Sequence, residues 1–200
     1  MIKKIDCAVI YIFVKKIENI NLNNFKKFLN IEIIYEDQFF NVNNFLKISY
    51  FCKKNNIKLY IIDDFNKAIK YKLNGILINN KAFKYNGNPW CSKSNFKILG
   101  KAHNQKEYAL RIKQGCKLIF LSPIFATNKY SNYSILSIVR FNLITLSWKR
   151  PIIALGGVNY KNYKKIKTAK SEGFGGISII NDGEIKKPVY LFTSKRAFKN

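Results

Sequence analysis

Gly115–Lys129 reads GCKLIFLSPIFATNK, and Pro151–Ile166 reads PIIALGGVNYKNYKKI. Each stretch joins a short apolar run to a loop: Leu118–Leu121 is closed by Ser122 and Pro123, and Ile152–Leu155 by Gly156 and Gly157. A run that is apolar on both faces, stopped by glycine or proline and followed by helical spacing, is the pattern of a parallel strand in an α/β fold. Chemistry in such folds gathers where strands end. The residues that close these two runs are therefore the first candidates for a site.

The same alternation extends outward over the whole chain. Further candidate strands are Cys7–Val14, Ile31–Tyr35, Lys58–Ile62, Gly75–Ile78, Phe96–Gly100 and Gly176–Ile180. Helical spacing covers Val42–Lys54, Phe65–Leu73, Gln105–Lys113, Tyr133–Leu146 and Tyr160–Ala169. The connection Asn79–Asn95 contains Gly87, Pro89 and only a weak apolar period, which gives its helix little support. Eight strands alternating with helices imply βαβ units closed into a (β/α)8 TIM barrel. An open doubly wound sheet would need a glycine fingerprint after the first strand, and Cys7–Lys16 contains no glycine. The glycines fall late, at Gly156, Gly157, Gly173, Gly175 and Gly176, where barrel loops often build phosphate sites from backbone N–H groups. No linker-like composition interrupts residues 1–200, which read as a single domain.

Lys and Arg number 36 against 11 Asp and Glu, a formal net charge of +25. Only Arg111, Arg140, Arg150 and Arg196 are arginines; the other cations are lysines, spread along the chain among abundant Asn, Ile, Tyr and Phe. Nucleic-acid footprints cluster their cations and favour the bidentate fork of arginine. The charge therefore reads as the codon bias of an AT-rich genome at tolerant surface positions, a solvated basic surface with no nucleic-acid partner, although such a surface would also steer small phosphorylated substrates inward. Cys7, Cys52, Cys91 and Cys116 form no Cys-x-x-Cys pair and have no histidine cluster beside them, which excludes the usual zinc spacings. Without a signal-peptide pattern, structural disulfides are not expected and a cytoplasmic setting is. Ala8–Val14 is too short to span a bilayer, so no membrane partner is expected.

Five segments carry a family resemblance. Leu59–Asp64 (LYIIDD), Ile98–Asn104 (ILGKAHN), Leu118–Lys129 (LIFLSPIFATNK), Pro151–Asn162 (PIIALGGVNYKN) and Gly173–Ile180 (GFGGISII) resemble the thiamine phosphate synthase and thiazole tautomerase (TenI-like) superfamily. The likeness runs over roughly Ile5–Pro188. Its most specific parts are Ser122-Pro123-Ile124-Phe125 with Thr127 and Lys129, similar to G-P-[VI]-F-P-T-x-[TS]-K, and Ala154–Val158, similar to A-[IL]-G-G-[IV].

The resemblance implies a transferase that joins an aminopyrimidine diphosphate to a thiazole phosphate, giving thiamine monophosphate and diphosphate. It also implies Mg²⁺ and cationic groups that stabilise the departing diphosphate. Asp64, with Asp63 in place of the family's Asn, is the implied metal site; a helix N-cap is the alternative for either residue. Ser122, Thr127 and Lys129 are the implied diphosphate contacts, although a lysine in a lysine-rich loop has a bland explanation too. Gly156 and Gly157 would let backbone approach a phosphate, and Asn181 would add an amide donor. His103, the single histidine, matches the acid/base position of the tautomerase branch; a structural hydrogen bond is its alternative.

Besides Ala126 for the Pro of a loop 6 that is one residue shorter, and Lys101 for the usual Ser of strand 5, two whole motifs depart from the pattern. The family's Gly-Gln-x-Asp after strand 4 reads Asn79-Asn80-Lys81-Ala82, and its Gln-x-Arg-x-Lys on strand 2 reads Ile33-Ile34-Tyr35-Glu36-Asp37. On that register a phenol and acids replace the cations that face diphosphate. A divergent synthase, a tautomerase-like proton-transfer enzyme and a non-catalytic phosphate-binding barrel are the three readings left. The apolar helices leave subunit packing open, a homo-oligomer included.

Overall fold

The computed structural model describes residues 9–20, 30–36, 39–82, 95–127, 135–159 and 161–176. Its strands are β1 (Val9–Val14), β2 (Ile31–Tyr35), β3 (Lys58–Ile62), β4 (Gly75–Ile78), β5 (Lys97–Ala102), β6 (Leu118–Leu121), β7 (Ile152–Leu155) and β8 (Gly173–Gly176). They pair in sequence order, all parallel, and β8 returns to β1 through Val9↔Gly173 and Tyr11↔Gly175 to close the barrel. The helices are α1 (Val42–Lys54), α2 (Phe65–Lys70), α3 (Gln105–Lys113) and α4 (Ser137–Thr145). The expected (β/α)8 barrel is therefore the fold.

Period-2 alternation sorts each strand into two layers. Tyr11, Phe13, Ile34, Tyr60, Leu77, Leu99, Phe120, Ile153 and Leu155 fill the barrel. Their neighbours, including Ile12, Ile33, Tyr35, Ile61, Ile98 and Ile119, face the helices. Each large side chain buried in this way contributes about 2 kcal/mol. The alternation corrects the strand-2 register: Ile34, not Tyr35, faces the barrel interior. Tyr35 instead packs outward against Phe45, with ring centroids 5.3 Å apart, and donates its hydroxyl to the Asn41 carbonyl.

The helices follow from their caps and stripes. Asn41 caps α1 by accepting the Asn44 N–H, and Phe45, Ile48, Ser49 and Cys52 form the buried stripe at helical spacing. Asn104 caps α3 in the same way through Glu107 N–H, and Tyr108 stacks on Trp148 with centroids 3.9 Å apart. Several element boundaries differ from the sequence reading, β5 among them, which runs Lys97–Ala102 where Phe96–Gly100 was expected. α2 ends at Lys70, α4 starts at Ser137, and Tyr163–Thr168 is a 3-10 helix where an α-helix was expected. β8 begins three residues earlier than expected because Gly173 and Gly175 carry no apolar side chain to mark it. A Cβ on Gly175 would lie 3.0 Å from Leu155 Cδ1 and 3.2 Å from the Phe13 ring, so neighbouring side chains occupy that space.

Glu32 is buried near the N-terminal ends of the strands, 3% exposed. It accepts from Tyr60 Oη at 2.8 Å and pairs with Lys58 Nζ at 2.9 Å. Burial, and secondly the charge of Glu32, raise the Tyr11 and Tyr60 phenols far above their ordinary range. This network lies at the opposite end of the barrel from the candidate site. Among the described residues, no helix is long and apolar enough to cross a membrane.

Candidate active site

Because all eight strands are parallel, their C-terminal ends share one rim. Asp63 and Asp64 follow β3, Asn79–Ala82 follow β4, His103 follows β5, Ser122–Thr127 follow β6, and Gly156 and Gly157 follow β7. Lys129 and Asn181 lie outside the described residues, as do residues 83–94 of the connection between β4 and β5.

Asp63 adopts a left-handed backbone, φ 51°, which a short polar side chain tolerates better than most. Its carboxylate turns to the next strand. Oδ1 accepts the N–H of Asn79 at 2.7 Å and of Asn80 at 3.0 Å, and Oδ2 accepts the Asn80 N–H at 3.1 Å. Asp64 caps α2: Oδ1 accepts the Lys67 N–H at 2.8 Å, and Oδ2 pairs with the Lys67 ammonium. The N-cap alternative therefore describes Asp64, and Asp63 serves the β4 loop.

The carbonyls of that loop are held by Arg111, 1% exposed on α3. Nη2 donates to Asn79 O at 2.7 Å and Nη1 to Asn80 O at 3.0 Å, while Nε reaches Lys101 O at 2.7 Å. Nη1 also donates to Gln114 Oε1 at 2.6 Å. The guanidinium fork thus ties the end of β4 to β5, with carbonyl oxygens in place of a carboxylate partner. Gly100 leaves room for it: a Cβ there would stand 3.0 Å from Arg111 Cγ.

His103 is half-buried beside β6. Its Nδ1 lies 2.8 Å from the Ser122 carbonyl oxygen and 3.2 Å from Ser122 Oγ. Its backbone N–H donates to Glu107 Oε2 at 2.9 Å, and Lys81 Nζ lies 3.1 Å from Glu107 Oε1. Burial pushes the Glu107 carboxyl up, but the Lys81 and His103 hydrogen bonds and charges outweigh it and leave that carboxyl below its ordinary value. A chain of contacts therefore runs from the β4 loop through Glu107 to His103 and on to Ser122.

Beyond Ser122, the β6 loop packs on the glycine pair. Gly156 and Gly157 have φ of 91° and 68°. A Cβ on Gly156 would come within 2.8 Å of Pro123 Cα, and one on Gly157 within 2.4 Å of Ala126 O. Phe125 N–H donates to Gly156 O at 3.1 Å, and Asn162 Nδ2 donates to Gly157 O at 2.7 Å. The close approach that demands glycine is thus, within the chain, an approach of two backbones. Thr127, half-buried, ends the described part of that loop.

A divalent cation, implied by the family resemblance, needs carboxylate oxygens available to it. All four oxygens of Asp63 and Asp64 already receive protein donors, and on Asp64 one donor is an ammonium. Among the described residues no group of three or more His, Cys, Asp or Glu comes together. The donor set as folded does not fit the ion.

The acid pair, the imidazole, the Ser122 hydroxyl and the glycine pair thus lie along the C-terminal rim of a closed (β/α)8 barrel, the face on which barrel enzymes carry their sites. A family model described as thiamine monophosphate synthase matches residues 41–181, and the chain belongs to that family. It is 31% identical over 142 residues to the thiamine-phosphate synthase of Clostridium tetani, covering 70% of this chain and 68% of that protein. The thiamine-phosphate synthase of Prochlorococcus marinus is 36% identical over 86 residues, 42% of this chain but only 24% of that longer relative. Thiamine phosphate pyrophosphorylase from Pyrococcus furiosus shares the fold, with a TM-score of 0.64 at 14% identity over 87% of each chain.

Sequence reasoning missed Lys67, Lys81, Glu107 and Arg111. Two had a local signal: Asp64-x-x-Lys67 is an i,i+3 pair, and Asn104-x-x-Glu107 has the spacing of a capping box. Arg111 stands out only as one of four arginines in a lysine-rich chain.

Proposed function

We propose that this chain is a divergent thiamine phosphate synthase. In the proposed reaction the bond from the pyrimidinylmethyl carbon to diphosphate oxygen breaks and a bond from that carbon to the thiazole nitrogen forms, releasing diphosphate. The observation that carries the reading is the continuous rim from Asp63 to Gly157, whose residues after β3, β5, β6 and β7 lie in the segments that resemble the family. Ser122 and Thr127 would supply hydroxyls to the phosphates, and the turn at Gly156 and Gly157 would supply backbone N–H groups. Lys129 and Asn181 are assigned phosphate contacts from the family motif alone. The departing charge would be met by side-chain cations, in a field made positive by the net charge of +25.

One observation favours a second reading, proton transfer on a thiazole carboxylate. His103 is engaged by Ser122 through Nδ1, which leaves Nε2 as its basic nitrogen. The purified chain supplied with pyrimidine diphosphate and thiazole phosphate, with and without Mg²⁺, separates the two. Thiamine monophosphate that is lost in Lys129→Ala supports the synthase. A folded chain that forms none in either buffer but isomerises a thiazole carboxylate phosphate supports the second reading and ends the first.

A further inference from the structure

Where the family resemblance calls for a metal, this chain carries an ammonium. Lys67 Nζ sits on Asp64 Oδ2 and lies 4.4 Å from the centroid of the Phe40 ring. The carboxylate and the negative face of the ring hold it in one place. Phe40 lies in the connection between β2 and α1, packed on Tyr35, Phe45 and Tyr71, and Asp64 lies between β3 and α2, so the cation stands among the connections on the C-terminal side of the barrel, beside the helix layer. A divalent ion on Asp64 would have to displace that ammonium or lie against it, and Asp63 is committed to the N–H groups of the β4 loop. The site after β3 already has its positive charge.

Resting on the reading that the barrel mouth takes a diphosphate, we propose that Lys67 is the resident cation of that site. The chain then binds diphosphate without a divalent metal. An ammonium brings three donors and one positive charge and needs no open coordination position, so the loss of the second aspartate in Asn79–Ala82 leaves nothing unmade.

The test is calorimetric titration of the full chain with inorganic diphosphate, in Mg²⁺ and in EDTA. The expected dissociation constants agree within about threefold between the two buffers, and Lys67→Gln weakens binding in EDTA about tenfold. Lys67→Arg keeps the cation and retains binding in EDTA. Lys54→Gln, which removes the same charge from the far end of α1, changes neither constant. In Lys67→Gln, added Mg²⁺ restores affinity because Asp64 is released. Binding by the parent chain that vanishes in EDTA and returns with Mg²⁺ would overturn the role of Lys67 and leave the diphosphate reading standing. Equal effects of Lys54→Gln and Lys67→Gln would overturn it too. No binding in either buffer would remove the diphosphate reading and this inference together.

Discussion

Nδ1 of His103 lies 2.8 Å from the carbonyl oxygen of Ser122. A carbonyl oxygen only accepts, so Nδ1 of the neutral ring carries the proton and Nε2 is the basic nitrogen. The chain has one histidine, so its imidazole ¹⁵N signals need no assignment by mutation. Long-range ¹H–¹⁵N spectra of the neutral ring should show the Nδ1-protonated tautomer. A ring protonated at Nε2 would refute the contact and with it the use of His103 as a base through that nitrogen.

Asp63 is held in a left-handed backbone, φ 51°, while serving two N–H groups of the β4 loop. Asp63→Ala loses both charge-assisted bonds and keeps an unfavourable φ, at a cost of about 2 kcal/mol in denaturant unfolding. Asp63→Asn keeps one acceptor oxygen and the tolerance for positive φ, so it should cost about half as much. An alanine variant as stable as its parent would show that the β4 loop holds its own position.

The fold was legible because its signal is distributed. Leu118–Leu121 and Ile152–Leu155 coincide with β6 and β7 to the residue, each being buried on both faces and stopped by a residue that cannot continue the strand. β8 was misplaced because two of its four residues, Gly173 and Gly175, face inward without side chains, so no apolar run marks the strand's start. The site was legible in outline only. Motif matching put Asp63, Asp64, His103, Ser122, Gly156 and Gly157 at strand ends, where they are. It did not reveal that Asp63 and Arg111 divide the backbone of Asn79 and Asn80 between them, one taking N–H groups and the other carbonyls. That division depends on contacts over 16 and 32 residues, and no local pattern encodes it.

Arg111 is buried at 1% exposure with three backbone carbonyls and the Gln114 amide as acceptors. Lysine retains the charge but not the planar fork, so Arg111→Lys cannot serve the carbonyls of the β4 loop and of β5 together. The expected loss is about 3 kcal/mol, close to that of Arg111→Met, because geometry and not charge alone is at stake. Denaturant unfolding of both variants measures this. A lysine variant within about 1 kcal/mol of its parent would mean that the charge suffices.

Glu107 links pH to the same rim. Its folded carboxyl lies below the ordinary value of 4.5 although burial opposes the shift. A lowered folded value means that the charged form is the one stabilised. Its contribution is full above the unfolded value and is lost as pH falls through the folded one. Parent and Glu107→Gln should therefore differ at neutral pH by about 1 kcal/mol, mainly through the His103 N–H bond, since Lys81 is largely exposed. The two unfolding curves should then converge as pH drops below 4.5. A gap that stays constant down to the acid limit would mean that Glu107 is uncoupled from His103 and Lys81.

Gly157 tests whether the glycine pair is needed for packing. Its φ is 68°, and a Cβ would fall 2.4 Å from Ala126 O, a backbone atom of the loop that carries Ser122 and Thr127. Gly157→Ala must strain the turn after β7 or push the β6 loop away. The expected cost is about 2 kcal/mol, read by thermal unfolding. Gly115 sets the control, because its φ is also positive, 78°, yet a Cβ there meets nothing nearer than Ile98 Cδ1 at 3.9 Å. Gly115→Ala should therefore lose only the backbone term, about 1 kcal/mol. Diphosphate binding should fall in Gly157→Ala and be unchanged in Gly115→Ala, since only the first displaces the loop beside the site. Equal losses of stability and unaltered binding in both would show that the turn after β7 needs glycine for its backbone angle alone.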